Sequence, residues 1–355
     1  MQINNFSAGP SKIPETVIKD IAKDIMEYEK LGYSVLELSH RSDEFSYIIN
    51  KTKDYLKKFL SIPSNFEIIF LQGGATFQNT FIPANNRSIN NDVAFLLSGT
   101  WGRKTHDDFN NYFNSIVPSV SLKDQSLDEL AYEINNLKEN YICLTSNETI
   151  EGLQFRKFDK FKNKKLIIDM SSDICSYKFD WDNIEYVYAG AQKNLGIPGV
   201  TLCIFKKKFS KENNLTSYLN AENHIKKNSA FNTPPTFSIY VMLKVLEWIQ
   251  ETGGMDIIEK NNRRKASYLY DFLDENEDKL ILNVPKEYRS FSNIVFDFKD
   301  KRHTPLFLQQ SINNGFVGLN GHRSVGGIRV SNYNSIDLKM IEDFTRHLYN
   351  FLSNN

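Results

Sequence analysis

Six short apolar segments, separated by helical or polar stretches, constrain what this chain can fold into. They cover residues 67–74, 92–99, 141–147, 165–172, 186–190 and 200–205. Five of the six end in Gly, Ser or Asn. Continuously apolar strands spaced in this way are typical of a parallel sheet with helices on both faces. The pattern predicts an α/β fold whose ligand site lies at the carboxyl ends of the strands.

The rest of the chain predicts a second, smaller unit after the sheet. The expected helices cover 13–32, 235–254 and 338–352, and the expected strands cover 292–298 and 326–333. A more polar section begins at 257, after a glycine pair that ends the second helix. The predicted division is an N-terminal arm over 1–14, a large domain over 15–255 and a small C-terminal domain over 256–355.

Composition excludes several classes of protein. Lys+Arg and Asp+Glu are both 43, and a net charge of zero argues against a nucleic-acid binder. No apolar run approaches the ~20 residues that span a bilayer, and residues 1–17 lack the pattern of a secretory signal. Cys143, Cys175 and Cys203 form no C-x-x-C pair and lie in or beside apolar segments, which predicts buried free thiols. We therefore expect a cytoplasmic protein.

A lysine and an aspartate stand out among the strand ends. Lys193 lies among small residues in the stretch YVYAGAQKNLGIPGVTLCIF, and Asp169 ends the strand KLIID. A buried carboxylate requires a positive partner. Two partners fit Asp169: Lys193 itself, or a protonated ring nitrogen as in pyridoxal phosphate enzymes, where a lysine forms a Schiff base with the cofactor.

Two further segments suit such a cofactor. The segment LQGGATFQ (71–78) places two glycines between a strand and a helix, an arrangement that exposes backbone N–H groups to a phosphate. The segment SGTWG supplies Trp101 at another strand end, where an indole offers an apolar face to a ring. Each signal is weak alone, since Gly-Gly pairs are usually turns and single tryptophans usually pack in cores.

Eight motifs together resemble the phosphoserine aminotransferase family, whose members are class V, fold-type I pyridoxal phosphate enzymes. They are SAGPS, LELSHRS, LQGGATFQ, GTWGRK, TSNETIEGLQF, DMSSD, YAGAQKNLG and HRSVGGIRVSNYN. They follow the family's order from residue 7 to residue 334. The resemblance implies a large domain with a mostly parallel sheet and a smaller C-terminal α+β domain.

The resemblance also implies a role for each cofactor-binding residue. Lys193 is expected to form the Schiff base and to move the proton between Cα and C4′. Asp169 is expected to pair with the pyridine nitrogen, Trp101 to stack on the ring, and Thr149 to hydrogen-bond its phenolic oxygen. Gln192 is expected to contact the cofactor phosphate.

The same phosphate is expected to receive groups from two subunits. Ala75 and Thr76 would donate backbone N–H groups to it. In the family, residues matching Asn232 and Thr233 reach the neighbouring subunit's cofactor. The resemblance therefore implies a homodimer with shared active sites, and it implies no metal.

Cations for the two anionic substrates come from two His-Arg pairs and a further arginine. By the same resemblance, Arg329 is expected to clamp the α-carboxylate, a task that suits a guanidinium because it meets a carboxylate in bidentate fashion. His40, Arg41, His322 and Arg323 are expected to surround the distal phosphate or carboxylate. Many relatives carry a basic residue where this chain has Asp43, and some carry Arg where it has Thr76.

The predicted activity is the reversible transfer of the amino group from L-glutamate to 3-phosphohydroxypyruvate in serine biosynthesis. Another class V aminotransferase, acting on an unphosphorylated keto acid, would keep the cofactor residues. A cysteine desulfurase would need a reactive cysteine in the C-terminal third, and the last cysteine is Cys203. A phosphate-loop protein is excluded because its motif, G-x-x-x-x-G-K-[ST], places the lysine after the glycine, whereas Lys193 precedes Gly196. A non-catalytic dimeric binding protein is disfavoured by the joint presence of Lys193, Asp169 and Trp101.

Overall fold

The computed structural model describes residues 3–122, 125–210 and 214–354. Within those ranges the strands are β1 Asn4–Asn5, β2 Phe66–Leu71, β3 Val93–Leu97, β4 Ser119–Ser121, β5 Tyr141–Thr145, β6 Asn147–Glu148, β7 Leu153–Gln154, β8 Lys165–Asp169, β9 Ile184–Gly190, β10 Thr201–Lys206, β11 Leu280–Ile281, β12 Asn293–Phe298, β13 Phe316–Val317 and β14 Ile328–Ser331. The helices are α1 Glu15–Met26, α2 Asp43–Leu60, α3 Gly74–Asn85, α4 Thr100–Phe113, α5 Leu127–Asn136, α6 Ala221–Lys226, α7 Thr236–Glu251, α8 Met255–Glu275, α9 His303–Asn313 and α10 Leu338–Asn354.

A seven-stranded sheet forms the centre, in the order β2-β10-β9-β8-β5-β3-β4. All six predicted apolar segments are strands of this sheet, which confirms the main expectation. One strand, β10, runs antiparallel to both β2 and β9. The cause is the short connection 191–200, since a parallel return needs a crossover of a dozen residues or more. Sequence reasoning missed the edge strand β4, whose three residues include only one apolar side chain.

Both faces of the sheet are buried. Alternate residues of β2 show this: Ile68 lies in the core beneath α2 and α7, and Ile69 lies in a second core with Phe81 of α3 and Phe109 of α4. Burial on both faces explains why the strands read as continuous apolar runs. With both faces covered by helices, the carboxyl edge of the parallel strands is the part of the sheet where loops can form a ligand site.

A third core lies in the C-terminal part of the chain. It joins the sheet β11-β12-β14 to helices α8, α9 and α10, and it includes Phe6 from the N-terminal segment. Helix α8 begins in the large core with Met255 and Ile258 and reaches the C-terminal core with Leu269 and Leu273. The domain division predicted near residue 255 stays a prediction, because one helix contributes to both cores.

The predicted helices are present with shorter bounds. Helix α1 ends at Met26 instead of near Gly32, because Glu27 is extended and Glu29 and Lys30 have positive φ. The polar section from 257 is helical and forms most of α8. No helix within the described ranges is long and apolar enough to cross a membrane.

The three cysteines are buried free thiols, as predicted. Burial raises the pKa of Cys143, Cys175 and Cys203 well above that of an ordinary thiol. These side chains therefore act as small apolar groups in the core.

Candidate active site

Lys193 lies in the 191–200 loop at the carboxyl edge of the sheet. The N-terminal segment packs on this loop: the Ser11 N–H donates to the Gln192 carbonyl at 3.0 Å, and Ser11 Oγ donates to the Lys193 carbonyl at 2.5 Å. A Cβ on Gly9 would lie 3.6 Å from Lys193 Cγ, so the backbone there follows the lysine stem closely. The backbone of the 191–200 loop is therefore held in place from outside the sheet.

Asp169 ends strand β8 and acts electrostatically on Lys193. Burial lowers the pKa of Lys193, and the Asp169 carboxylate opposes that effect. Burial likewise raises the pKa of Asp169, against a 2.8 Å hydrogen bond from the Ser171 N–H and the charge of Lys193. The pair supplies an amine biased toward its neutral form beside a carboxylate with acceptor sites to spare. A cationic ring nitrogen would satisfy that carboxylate.

Trp101 and Thr149 are joined by a hydrogen bond at the start of α4, and their roles as ring contacts stay predictions. Trp101 is in the first turn of α4 and is 37% exposed, and its Nε1–H donates to Thr149 Oγ1 at 3.0 Å. Sequence reasoning missed Glu148, which is fully buried and accepts the backbone N–H groups of Trp101 and Gly102. Its position directly before Thr149 in NETIEG was the available signal.

Arg329 extends from β14 toward the same site. Its Nη1 donates to the Thr149 carbonyl at 3.2 Å, and its charge contributes to the lowered pKa of Lys193. Arg329 Nε is buried and has no hydrogen-bond partner among the described residues. A buried guanidinium N–H without a partner is costly, so this group fits an anionic ligand.

The turn between β2 and α3 provides an anion site. Gly73 and Gly74 have φ of +98° and +68°, which favours glycine at both positions. Ala75 and Thr76 follow in the first turn of α3, where unpaired N–H groups and the helix dipole favour a phosphate. The exposed segment with Asn232 and Thr233 lies against this turn, because Gln72 Nε2 donates to the Thr233 carbonyl at 3.4 Å.

The predicted distal-anion residues are not brought together within one chain. Arg41 is exposed, and its N–H donates to Ser39 Oγ in its own loop. His322 bonds Ser324 within the loop 321–327, where Arg323 is also exposed. Among the described contacts, none joins these two loops to each other or to Lys193. The distal-anion site formed by His40, Arg41, His322 and Arg323 therefore stays a prediction.

A buried polar network lies beneath the site and was not predicted. Asn147 Nδ2 donates to Ser172 Oγ and to Asn293 Oδ1, both at 2.8 Å. Asn293 Nδ2 donates to the Tyr333 hydroxyl at 3.2 Å, which itself donates to the Ala8 carbonyl at 2.8 Å. The network connects the carboxyl edge of the large sheet, the C-terminal sheet and the N-terminal segment.

Comparison with known proteins places this geometry in a family. The class-V aminotransferase model matches residues 3–344. The phosphoserine aminotransferase of Lysinibacillus sphaericus (strain C3-41) is 38% identical over 352 residues, covering 98% of this chain and 97% of that protein.

Two solved structures match the fold over the whole chain. The phosphoserine aminotransferase from Bacillus circulans subsp. alkalophilus has a TM-score of 0.92 at 35% identity, covering 100% of this chain and 99% of that one. The PLP-bound phosphoserine aminotransferase from Trichomonas vaginalis has a TM-score of 0.89 at 29% identity, covering 98% and 100%. These matches confirm the predicted fold class.

Proposed function

The chain belongs to the phosphoserine aminotransferases of the class-V aminotransferase family, and from this premise we propose that it transfers the amino group of L-glutamate to 3-phosphohydroxypyruvate. The products are O-phospho-L-serine and 2-oxoglutarate, and the reaction is a step of serine biosynthesis in the cytoplasm. The observation that carries the proposal is the placement of Lys193 within electrostatic reach of both Asp169 and Arg329 at the carboxyl edge of the sheet.

The cofactor of the proposed reaction is pyridoxal phosphate. The residues fit it: Lys193 is an amine with a lowered pKa, and Asp169 is a carboxylate that burial leaves in need of a cation. Trp101 and Thr149 are joined beside them by a 3.0 Å hydrogen bond. When bound, the cofactor supplies an electron sink for the negative charge that develops at the substrate Cα.

Groups from two subunits would hold the cofactor phosphate. The backbone of Ala75 and Thr76 at the start of α3, together with Gln192, would form one side of the site. Asn232 and Thr233 would form the other in a homodimer, and both are exposed in the single chain. Shared phosphate binding would make the dimer the active form.

Lys193 would serve as nucleophile and then as proton carrier. Its lowered pKa favours the free base, which is the form that attacks a carbonyl and accepts a proton. With cofactor and glutamate bound, Lys193 Nζ would be the base placed to take the proton from the substrate Cα and to return it on the cofactor side. Arg329 would hold the α-carboxylate and so orient the Cα–H bond toward Nζ. The keto acid would use the same residues in the reverse direction, so we expect ping-pong kinetics.

Replacing Arg329 by Ala is expected to lower kcat/KM about 10²- to 10⁴-fold for both substrates, because two charge-assisted hydrogen bonds are lost. Arg329→Lys should recover little of this, since an ammonium lacks the planar fork. Arg302→Ala, at an exposed arginine paired with Asp300, is the matched control. Steady-state kinetics in which each substrate is varied in turn give the two kcat/KM values. Near-normal kcat/KM in Arg329→Ala would remove its role as the carboxylate clamp.

The proposed function is tested by following the visible absorption of the holoenzyme. L-Glutamate should bleach the yellow band, and 3-phosphohydroxypyruvate should restore it. Recovery with an unphosphorylated keto acid alone would support a different class V aminotransferase. Exposed Asp43 makes that second candidate worth testing, because it places a negative charge two residues from Arg41. No band after adding pyridoxal phosphate would contradict both candidates.

A further inference from the structure

Glu148, the second residue of β6, is a buried carboxylate with no assigned role, and its side chain reaches the start of helix α4. It is fully buried, and its two oxygens each accept a backbone N–H: Trp101 donates to Oε2 at 2.9 Å and Gly102 to Oε1 at 2.8 Å. The first N–H groups of a helix have no partner within the helix, and a negative charge is favourable there. Glu148 therefore fixes the turn of backbone from which the Trp101 side chain projects.

The glycines of SGTWG make room for this carboxylate. A Cβ on Gly99 would lie 2.6 Å from Glu148 Cδ, and a Cβ on Gly102 would lie 3.2 Å from Glu148 Oε1. Gly99 is extended, with φ of −174°, so the absence of a side chain is what matters there. The close approach of the Glu148 carboxylate to the start of α4 therefore depends on residues of two segments, SGTWG and NETIEG.

Glu148 also fixes the position of Thr149, the residue that follows it and that hydrogen-bonds the Trp101 indole. Thr149 Oγ1 accepts the indole N–H at 3.0 Å, and the Thr149 carbonyl accepts Arg329 Nη1 at 3.2 Å. One carboxylate thus connects the backbone of Trp101 to the peptide that carries Thr149. Lys104 Nζ lies over the Trp101 ring, 4.8 Å from its centroid, and Trp101 is otherwise partly exposed.

We propose that Glu148 is a positioning residue that holds Trp101 and Thr149 in the relative geometry required to bind the cofactor ring. The inference rests on the proposed function, because it assigns Trp101 and Thr149 to pyridoxal phosphate. It concerns only the cofactor half of that function and does not depend on which keto acid is the substrate.

Glu151 provides a matched control on the same helix end. Its Oε1 accepts the Thr100 N–H at 2.9 Å and the Thr100 hydroxyl at 2.6 Å, one residue before Trp101. It makes no described contact with Trp101 or Thr149. Loss of Glu151 removes the two hydrogen bonds from Thr100 and a longer one from Arg103, but it leaves the Trp101–Thr149 connection intact.

The experiment compares Glu148→Gln, Glu148→Ala and Glu151→Ala with wild type. The Gln variant keeps the shape but turns an NH₂ group toward one of the two backbone donors. Cofactor Kd and the visible circular dichroism of bound pyridoxal phosphate are measured directly, and quenching of Trp101 fluorescence is isolated by subtracting Trp101→Phe. These readouts report ring geometry without requiring turnover.

Both Glu148 variants are expected to raise the Kd at least about 10-fold and to weaken the visible dichroism and the Trp101 quenching. Glu151→Ala should lower the Tm while keeping Kd and dichroism within about twofold of wild type. Wild-type values in Glu148→Gln, or equal shifts in Glu151→Ala, would overturn the inference. If Glu148→Ala does not fold, Glu148→Gln decides the question.

The wild type distinguishes failure of this inference from failure of the proposed function. Wild-type protein that binds no pyridoxal phosphate overturns both. Wild-type protein that binds it but rejects 3-phosphohydroxypyruvate overturns only the substrate assignment, and the Glu148 comparison still decides the inference.

Discussion

Replacing Lys193 by Ala is expected to lower kcat at least about 10⁴-fold, the largest effect of any single substitution in the chain. The variant loses both the nucleophile that binds the cofactor and the base that moves the Cα proton, and general base catalysis alone is worth about 10²- to 10⁴-fold. Single-turnover kinetics with L-glutamate, followed by absorption, measure the loss. Residual turnover should be insensitive to further substitution of neighbouring residues.

The folded structure should tolerate this change. Burial lowers the pKa of Lys193, so its cationic form contributes little to stability in the absence of cofactor. We expect the Tm of the cofactor-free variant to remain within a few degrees of wild type. The exposed Lys208→Ala is the control for a lost lysine. Wild-type kcat in Lys193→Ala would disprove the assignment of Lys193, and a collapse in Tm would indicate a structural role instead.

The strands and their functional ends were predictable because burial on both faces leaves a continuous apolar signal. Lys193, Asp169 and Arg329 were each identified in sequence. In the structure, the charges of Asp169 and Arg329 both act on Lys193. Trp101 and Thr149 were predicted as separate ring contacts. Their mutual hydrogen bond was not predicted, since it joins side chains 48 residues apart.

The features that sequence reasoning missed are mainly polar contacts between residues far apart in the chain. Glu148 was overlooked because an acidic residue after a strand is usually solvated, and only the fold brings the start of α4 to it. The contact between Asn147 and Asn293 spans 146 residues and has no local signature. Strand β10 was predicted as a strand, but its direction follows from the length of one loop. Such features depend on which segments become neighbours, and hydrophobic patterning reports only which residues are buried.

Two aspartates near Lys193, the half-buried Asp169 and the fully buried Asp173, differ in which groups hydrogen-bond their carboxylates. The Asp169 carboxylate accepts hydrogen bonds only from Ser171 among its described partners, from the N–H at 2.8 Å and from the hydroxyl, and burial raises its pKa. Asp173 accepts from Ser146 Oγ at 2.5 Å and Gln154 Nε2 at 2.9 Å, and burial raises its pKa to about 6. Asp173 is already satisfied by the protein and therefore serves the fold. Asp169 has capacity for a ligand.

Asp169→Asn is therefore expected to lower kcat at least about 10²-fold while leaving stability nearly unchanged. The Asn oxygen can still accept the Ser171 N–H, so the substitution removes only the negative charge that would keep the ring nitrogen protonated. Asp173→Asn should show the reverse: its NH₂ group faces existing donors, which should cost about 1–3 kcal/mol of stability with kcat within about 10-fold of wild type. Thermal unfolding and half-reaction kinetics on the same two variants separate these roles. If Asp169→Asn retained full activity, the ring-nitrogen partner would have to be another group, and equal losses of activity and stability in both variants would mean that the two carboxylates act as one unit.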